Sequence, residues 1–294
     1  MAHSHIILGA GTGVAEPQIR RIGFADLTDA LRQGARDFQA MPTHAMFLCV
    51  IYPIVGLLTA RLAFGYSVLP LLYPLATGFA LVGPLAGLGL YELSRRREAG
   101  LDNSVSHAFD VLRSSSIGGI VALGLLLLLI FMLWMATANA IYIADFGYAP
   151  PASPEAFLRN VFTTDAGWNL IIVGNAVGFL FAVLAMTVSV VSFPLLLDRD
   201  VGAALALLTS IRAVIKNPLM MALWGLIVAA LLFIGSLPLF IGLTIVVPIL
   251  GHATWHLYRK LVVADDSPRP TYRPDDKGER SAADFPAVLF PWAK

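Results

Sequence analysis

The hydrophobic positions of this chain fall into long unbroken runs more often than into stripes. Residues 117–136 carry no polar face at all, which marks a helix surrounded by apolar material on every side. Runs near the ~20 apolar residues that a helix needs to cross a bilayer predict spans over about 44–64, 66–93, 117–141, 168–197, 218–235 and 237–257. Shorter stretches between them do show a stripe. In 21–40, Phe24, Leu27, Leu31 and Phe38 recur at helical spacing, with Arg32 and Arg36 on another face; this predicts an amphipathic helix lying in the membrane interface, with a helix packed on a partner or on the rest of the chain as the alternative. In 101–113, Leu101, Val105, Ala108 and Leu112 oppose Asp102, Ser106, Asp110 and Arg113. In 201–216, Val201, Leu205, Leu208, Ile211 and Ile215 share one face, with Thr209, Arg212 and Lys216 on another. These two stretches are expected to lie flat and side by side at the cytoplasmic interface, with the leucine stripe buried. Leu208→Asp should then be damaging and Thr209→Asp tolerated.

The punctuation agrees with this division. Asn217-Pro218 is a helix start, a capping residue followed by a proline whose missing donor costs nothing. Ser114 to Ser116 are placed to cap the run that follows them. Gly83 with Gly87, and Gly174 with Gly178, are small-xxx-small pairs that allow another helix to come close. Offsetting the chain by 102 residues aligns Arg97, Glu98 and Gly100 with Arg199, Asp200 and Gly202. This is a weak parallel repeat of span, surface helix and span, which similar hairpin constraints would produce without a common origin. Residues 1–20 and 263–294 have no period and are expected to be disordered tails around one membrane domain, 21–262.

Composition sharpens the class. The chain is 57% hydrophobic and 13% charged, whereas soluble domains carry roughly 25% charged residues. The expected fold is an all-α polytopic membrane helix bundle, with about six transmembrane helices and amphipathic surface helices. A net charge of +1 gives no reason to expect a nucleic-acid partner, and the single cysteine, Cys49, has no disulfide partner within the chain. The start, MAHSHIILGAGTG, lacks the pattern of a cleavable signal peptide. With both termini inside, every Lys and Arg except Arg61 and Arg159 falls on the inner side. That bias orients the chain with both tails in the cytoplasm.

The runs MPTHAMFLCVIYPIVGL, FPLLLDRDVGAALALLTSIRAVIKNP and GHATWHLYRK resemble a family of predicted bacterial integral membrane proteins, common in alphaproteobacteria and catalogued only as a domain of unknown function. The resemblance covers roughly residues 20–262. It implies a bacterial inner-membrane location, and it carries no activity, cofactor or catalytic residue with it.

Candidate chemistry gathers at the inner ends of the spans. His252 and His256 are four apart on one face, and His44 opens the first span at the same depth. Imidazoles at one level can ligate a metal or haem. Without a neighbouring carboxylate or cysteine, they read better as part of an interfacial belt with Trp255, Tyr258, Arg259 and Lys260, so no cofactor is expected. Glu92, Arg95, Arg96, Arg97, Asp198, Arg199 and Asp200 form either a charge network between the two repeats or solvated stop-transfer charge; Arg212 and Lys216 should face water or anionic headgroups. No Asp, Glu, Lys or Arg falls mid-span, which argues against an ion-coupled pump. Asn139, Asn169 and Asn175 are the polar exceptions, accounted for by bonds between helices. GAGTGVAE lacks the lysine and preceding strand of a phosphate loop, and no metalloprotease or nucleophile-elbow motif occurs. The expected function is a non-catalytic scaffold or accessory subunit, binding protein or lipid, or a second copy of itself, at the cytoplasmic face. A permease or flippase for an apolar or zwitterionic substrate is the alternative.

Overall fold

The computed structural model describes residues 16–41, 54, 69–81, 83–149, 151–265 and 267–272. The expected first span, with His44, Cys49 and Pro53, lies outside the described residues except for Ile54, as do 1–15 and 273–294. The elements are α1 Phe24–Ala40, α2 Leu72–Leu81, α3 Gly83–Ala86, α4 Leu88–Glu98, a 3-10 helix Val105–Arg113, α5 Ile117–Phe146, α6 Pro154–Thr163, α7 Asp165–Ser189, α8 Ser192–Asp198, α9 Ala203–Lys216, α10 Pro218–Ser236 and α11 Leu243–Leu261. Among the described residues there is no strand beyond two isolated bridges, Ile19 with Val262 and Ser114 with Tyr272.

Among the described residues, three helical stretches are long and apolar enough to cross a membrane: Ile117–Phe146, Asp165–Asp198 and Pro218–Ser236. The first two flank the interior, while the third is only 17% buried and presents most of its surface outward. The expected second span, 66–93, is instead divided among α2, α3 and α4. The expected sixth begins late: residues 237–242 form turns, with Leu239 and Phe240 at φ of 52° and 65°, and α11 starts only at Leu243. The 30 residues of α5 rise about 45 Å, more than the ~30 Å of a hydrocarbon core.

The core is built around α8, where every residue from Ser192 to Asp198 is buried. Polar side chains along the spans find partners locally or on the next helix. Asn169 donates to Asp145 at 2.7 Å, Tyr73 donates to Asn175 at 2.7 Å, and Trp134 Nε1 reaches the Pro74 carbonyl at 2.9 Å. The expected glycine pairs behave unequally. Gly178 receives the Trp134 ring, whereas Gly83 and Gly174 have open space where a Cβ would sit.

The surface helices carry the main corrections. On α9 the buried positions are Ala203, Ala206, Thr209, Ser210 and Ala213. Leu208 is 39% and Ile215 71% exposed, while Thr209 is 1% exposed. Leu208 and Ile215 turn outward, Leu205 and Ile211 are half-buried and Val201 is buried, while the small residues face the protein, because only short side chains let α9 lie closely against α7 and α8. On α1 the buried set is Leu27, Ala30, Gly34 and Asp37, while Phe24 is exposed. This helix does not depend on the interface alone: it packs along α11, its largest contact in the fold. The 105–113 stretch is a 3-10 helix packed chiefly on α4, not beside α9.

The turns after α4 and α8 each contain a glycine at positive φ. Gly100 and Gly202 have φ of 66° and 76°, a region that residues with a Cβ avoid, and each follows a helix that ends within four residues of it. The caps differ from expectation. Ser116 precedes α5 without a side-chain capping bond, and its hydroxyl has no partner. Asn217 precedes α10, but its side chain turns away to hold the N-terminal segment. Residues 16–22, expected in a tail or its margin, are ordered against the body, and so are residues 262–265 and 267–272, where the second tail was expected to begin.

Candidate functional site

The second half of α11 gathers most of the interior polar chemistry. His252, Trp255 and Tyr258 are all buried, so these side chains do not form the headgroup-facing belt expected of them. Each reaches a partner on another helix. Tyr258 donates to Asp198 Oδ2 at 2.6 Å, and Trp255 Nε1 donates to Glu98 Oε2 at 2.8 Å. Arg259 bridges the same two carboxylates, Glu98 at 2.9 Å and Asp198 at 3.3 Å. Through these contacts α11 ties the end of α4 to the end of α8.

Asp198 and Arg199 are both buried. Arg199 donates to Asp265 at 2.5 Å and to the Val263 carbonyl at 2.6 Å, while Arg269 pairs with Asp198. The chain after α11 therefore returns across α8 and neutralises it. Glu92, 0% exposed, accepts two bonds from Arg95 at 2.8 and 2.7 Å and one from Tyr272 at 3.1 Å. Burial works against the Arg95 charge, but Glu92 outweighs it and raises the pKa. Burial and the adjacent Glu92 charge push the Tyr272 phenol up. Arg96 reaches the Asp102 carbonyl at 2.5 Å and Asp110 at 3.4 Å.

A second cluster is centred on Asp37 of α1. Its Oδ1 pairs with Arg97, and its Oδ2 accepts from Ser94 at 2.6 Å and from His256 Nε2 at 2.8 Å. Ser94 Oγ also lies 2.7 Å from His252 Nδ1. With the one hydroxyl proton given to Asp37, Nδ1 must donate to Ser94. Among the described residues, buried His252 Nε2 makes no hydrogen bond of good geometry. Burial opposes charge on Asp37, yet the hydrogen bonds from His256 and Ser94 prevail and hold its carboxyl below the ordinary range. These are the residue types of a Ser-His-Asp triad with different wiring. The hydroxyl proton points to the carboxylate instead of a histidine base, and Ser94 is fully buried. Among the described residues no three His, Cys, Asp or Glu side chains converge as metal ligands.

Both clusters reach the surface at one hollow of about 360 Å³. Its walls are the 20–22 segment, α1 at Asp26 and Gln33, Glu98, and α11 at His256, Arg259 and Lys260.

Of the charges expected to cooperate, Arg95, Arg96, Asp198 and Arg199 enter buried networks, and Arg97 joins the Asp37 cluster. Asp200 stands apart, its backbone N–H bonded to the Pro268 carbonyl at 2.9 Å. Arg212 and Lys216 clamp the N-terminal segment, through Glu16 at 2.6 Å and the Ile19 carbonyl at 2.8 Å. His44 lies outside the described residues. Sequence reasoning missed Asp37 and Ser94 and the return of Asp265, Arg269 and Tyr272. Asp37 did leave a signal: it continues the spacing of Leu27, Ala30 and Gly34 on one helix face. The return segment left none, since its residues are indistinguishable from a solvated tail.

Residues 71–198 match a family model described as "Predicted integral membrane protein (DUF2189)". The match runs from the start of α2 to the end of α8, narrower than the 20–262 expected, and leaves α1 and α9 to α11 outside. No curated protein matches the chain, and no solved structure does. The family description and the three long apolar helices identify the chain as an integral membrane protein.

Proposed function

We propose that this integral membrane protein is a non-catalytic scaffold or accessory subunit that binds another component of the membrane at its cytoplasmic face. The observation that carries this reading is the segregation of its polar chemistry. The described buried ion pairs lie on or just beyond the C-terminal halves of α1, α4, α8 and α11, and Arg259, together with His256, the partner of Asp37, carries two of these clusters to one hollow. The positive-inside bias of the sequence supports assigning that end to the cytoplasm, and the family resemblance supports a membrane of bacterial inner-membrane type.

A permease is less well supported by the spans. Their hydroxyls turn back on their own helices: Thr137 to Leu133, Thr187 to Val183 and Ser189 to Ala185, each within 2.8 Å of the carbonyl. Such groups are satisfied where they are and offer a passing solute nothing to exchange with. Extraction in mild detergent followed by native mass spectrometry tests the proposal. A copurifying lipid or protein, or a self-associated form, is the expected result. A strictly monomeric, partner-free protein would overturn it.

A further inference from the structure

We infer that the hollow between residues 20–22, α1 and the C-terminal end of α11 is a binding site for a phosphate-bearing anion. The inference rests on the reading of the charged end as a recognition face and gives that face a ligand chemistry. Four cations, Arg20, Arg21, Arg259 and Lys260, line the hollow against two carboxylates, Asp26 and Glu98. The carboxylates are already engaged: Glu98 by Trp255 and Arg259, and Asp26 by the Gly23 amide at 2.8 Å. Arg20 and Arg21 are exposed, and neither guanidinium has a side-chain partner among the described residues. Lys260 holds Asp29 at 2.5 Å, on a partly exposed pair of the kind that contributes little and can be exchanged.

The way the arginines are presented is a second, independent observation. Their segment is extended, rests Ile19 and Ile22 on the core, and is fixed from both sides by backbone hydrogen bonds. Arg20 N–H donates to the Leu261 carbonyl at 2.7 Å, and Val263 N–H donates to the Gln18 carbonyl at 2.9 Å. Asn217 accepts from Ile22 N–H at 2.9 Å and donates to the Arg20 carbonyl at 3.0 Å. Lys216 donates to the Ile19 carbonyl. These bonds are made by the backbone of the segment, so both guanidinium groups stay free while their Cα positions are set. Guanidinium forks match phosphate oxygens in pairs, and positions fixed in advance reduce the entropy lost on binding. A hollow of about 360 Å³ lies within the usual range for small-ligand sites, roughly 300–1,000 Å³. His256 lines the hollow and bonds Asp37, so it connects the bound group to the buried Ser94–His252 pair.

The experiment uses the purified full chain in detergent and three probes: a short-chain anionic phospholipid, the corresponding phosphatidylcholine, and inorganic phosphate. Binding is read by native mass spectrometry and by the thermal midpoint. The anionic lipid should bind, and Arg20→Ala with Arg21→Ala should weaken it at least about tenfold, in line with two basic groups at an anionic surface. The double variant should fold, because the segment is held through its backbone. Arg32→Ala with Arg36→Ala removes the same charge from the exposed face of α1 and should leave binding unchanged. Binding of the anionic lipid without inorganic phosphate assigns the site to a headgroup; binding of both, with the same loss in the double variant, assigns it to soluble phosphate compounds as well. Equal losses in the two double variants, or undiminished binding in the first, overturn the inference. So does failure of the wild type to bind either anion. In that last case a copurifying protein would leave the broader reading standing, and a partner-free monomer would remove both.

Discussion

Gly34→Ala tests the contact on which the charged end depends. A Cβ at Gly34 would lie 2.6 Å from Ala253 N, 2.7 Å from Ala253 Cβ and 2.7 Å from the Ile249 carbonyl oxygen. Apolar contacts settle near 3.5–4.0 Å, so α1 and α11 would have to separate by about 1 Å. Two of the three obstructing atoms are backbone, which cannot rotate aside. Overpacking of this kind costs about 1–3 kcal/mol, and the rigid obstruction argues for the upper end. Helix propensity works the other way, since alanine is better than glycine inside a helix by about 1 kcal/mol. The net expectation is a loss of about 2 kcal/mol. The damage should also spread: Asp37 lies one turn further along the same face, and its bonds to Ser94 at 2.6 Å and His256 at 2.8 Å do not survive that separation. Gly23→Ala, with nothing within 4 Å of its Cβ, is the control and should stay within about 0.5 kcal/mol. Heating detergent extracts and following the surviving monodisperse peak by size exclusion gives the midpoints. A Gly34→Ala midpoint equal to or above wild type, with Gly23→Ala unchanged, would refute the reasoning.

On α9, Thr209→Asp should destabilise by more than 2 kcal/mol through a buried unpaired charge, while Leu208→Ala should stay within about 1 kcal/mol because Leu208 faces outward; the same heat-challenge assay ranks them, and the reverse order would restore the leucine-buried arrangement. Asp198→Ala should cost about 3–5 kcal/mol, since it strips Tyr258, Arg259 and Arg269 of a shared partner and removes the neighbouring carboxylate of buried Arg199; an unchanged midpoint would show those charges to be solvated. Asp37, faced by Arg97, Ser94, His256 and His252, has a depressed pKa in the fold; its contribution to stability is therefore complete above the ordinary carboxylate value of about 3.9 and fades as pH falls through the folded value. Asp37→Asn should flatten the acid limb of midpoint against pH, and an unaltered limb would count against the cluster. Reporter fusions after residues 155 and 205 should fall on opposite sides of the membrane, the first outside; same-side signals would overturn the topology.

The sequence by itself determined the solvent of this protein and the starts of two of its long helices, at Ile117 and Pro218. Runs such as 117–141 and 218–235 leave no polar face for water, and Asn217-Pro218 and the glycine at 202 mark their limits through backbone chemistry that needs no partner. Gly100 and Gly202 were legible for the same reason: each takes a positive φ that residues with a Cβ avoid. What the tertiary structure alone decided is which side of each helix faces in. Apolar side chains are at home both in lipid and in a protein core, so a leucine stripe does not distinguish them. Close approach of two backbones does, and it selects Ala30 and Gly34 on α1 and Ala203, Ala206 and Ala213 on α9, turning Phe24, Leu208 and Ile215 outward. The charges follow the same logic. Arg95, Asp198 and His256 stand at helix ends in the sequence, where solvation is the ordinary expectation. Their burial depends on partners far along the chain, Tyr272, Arg269 and Asp37, and only folding brings those within hydrogen-bonding distance.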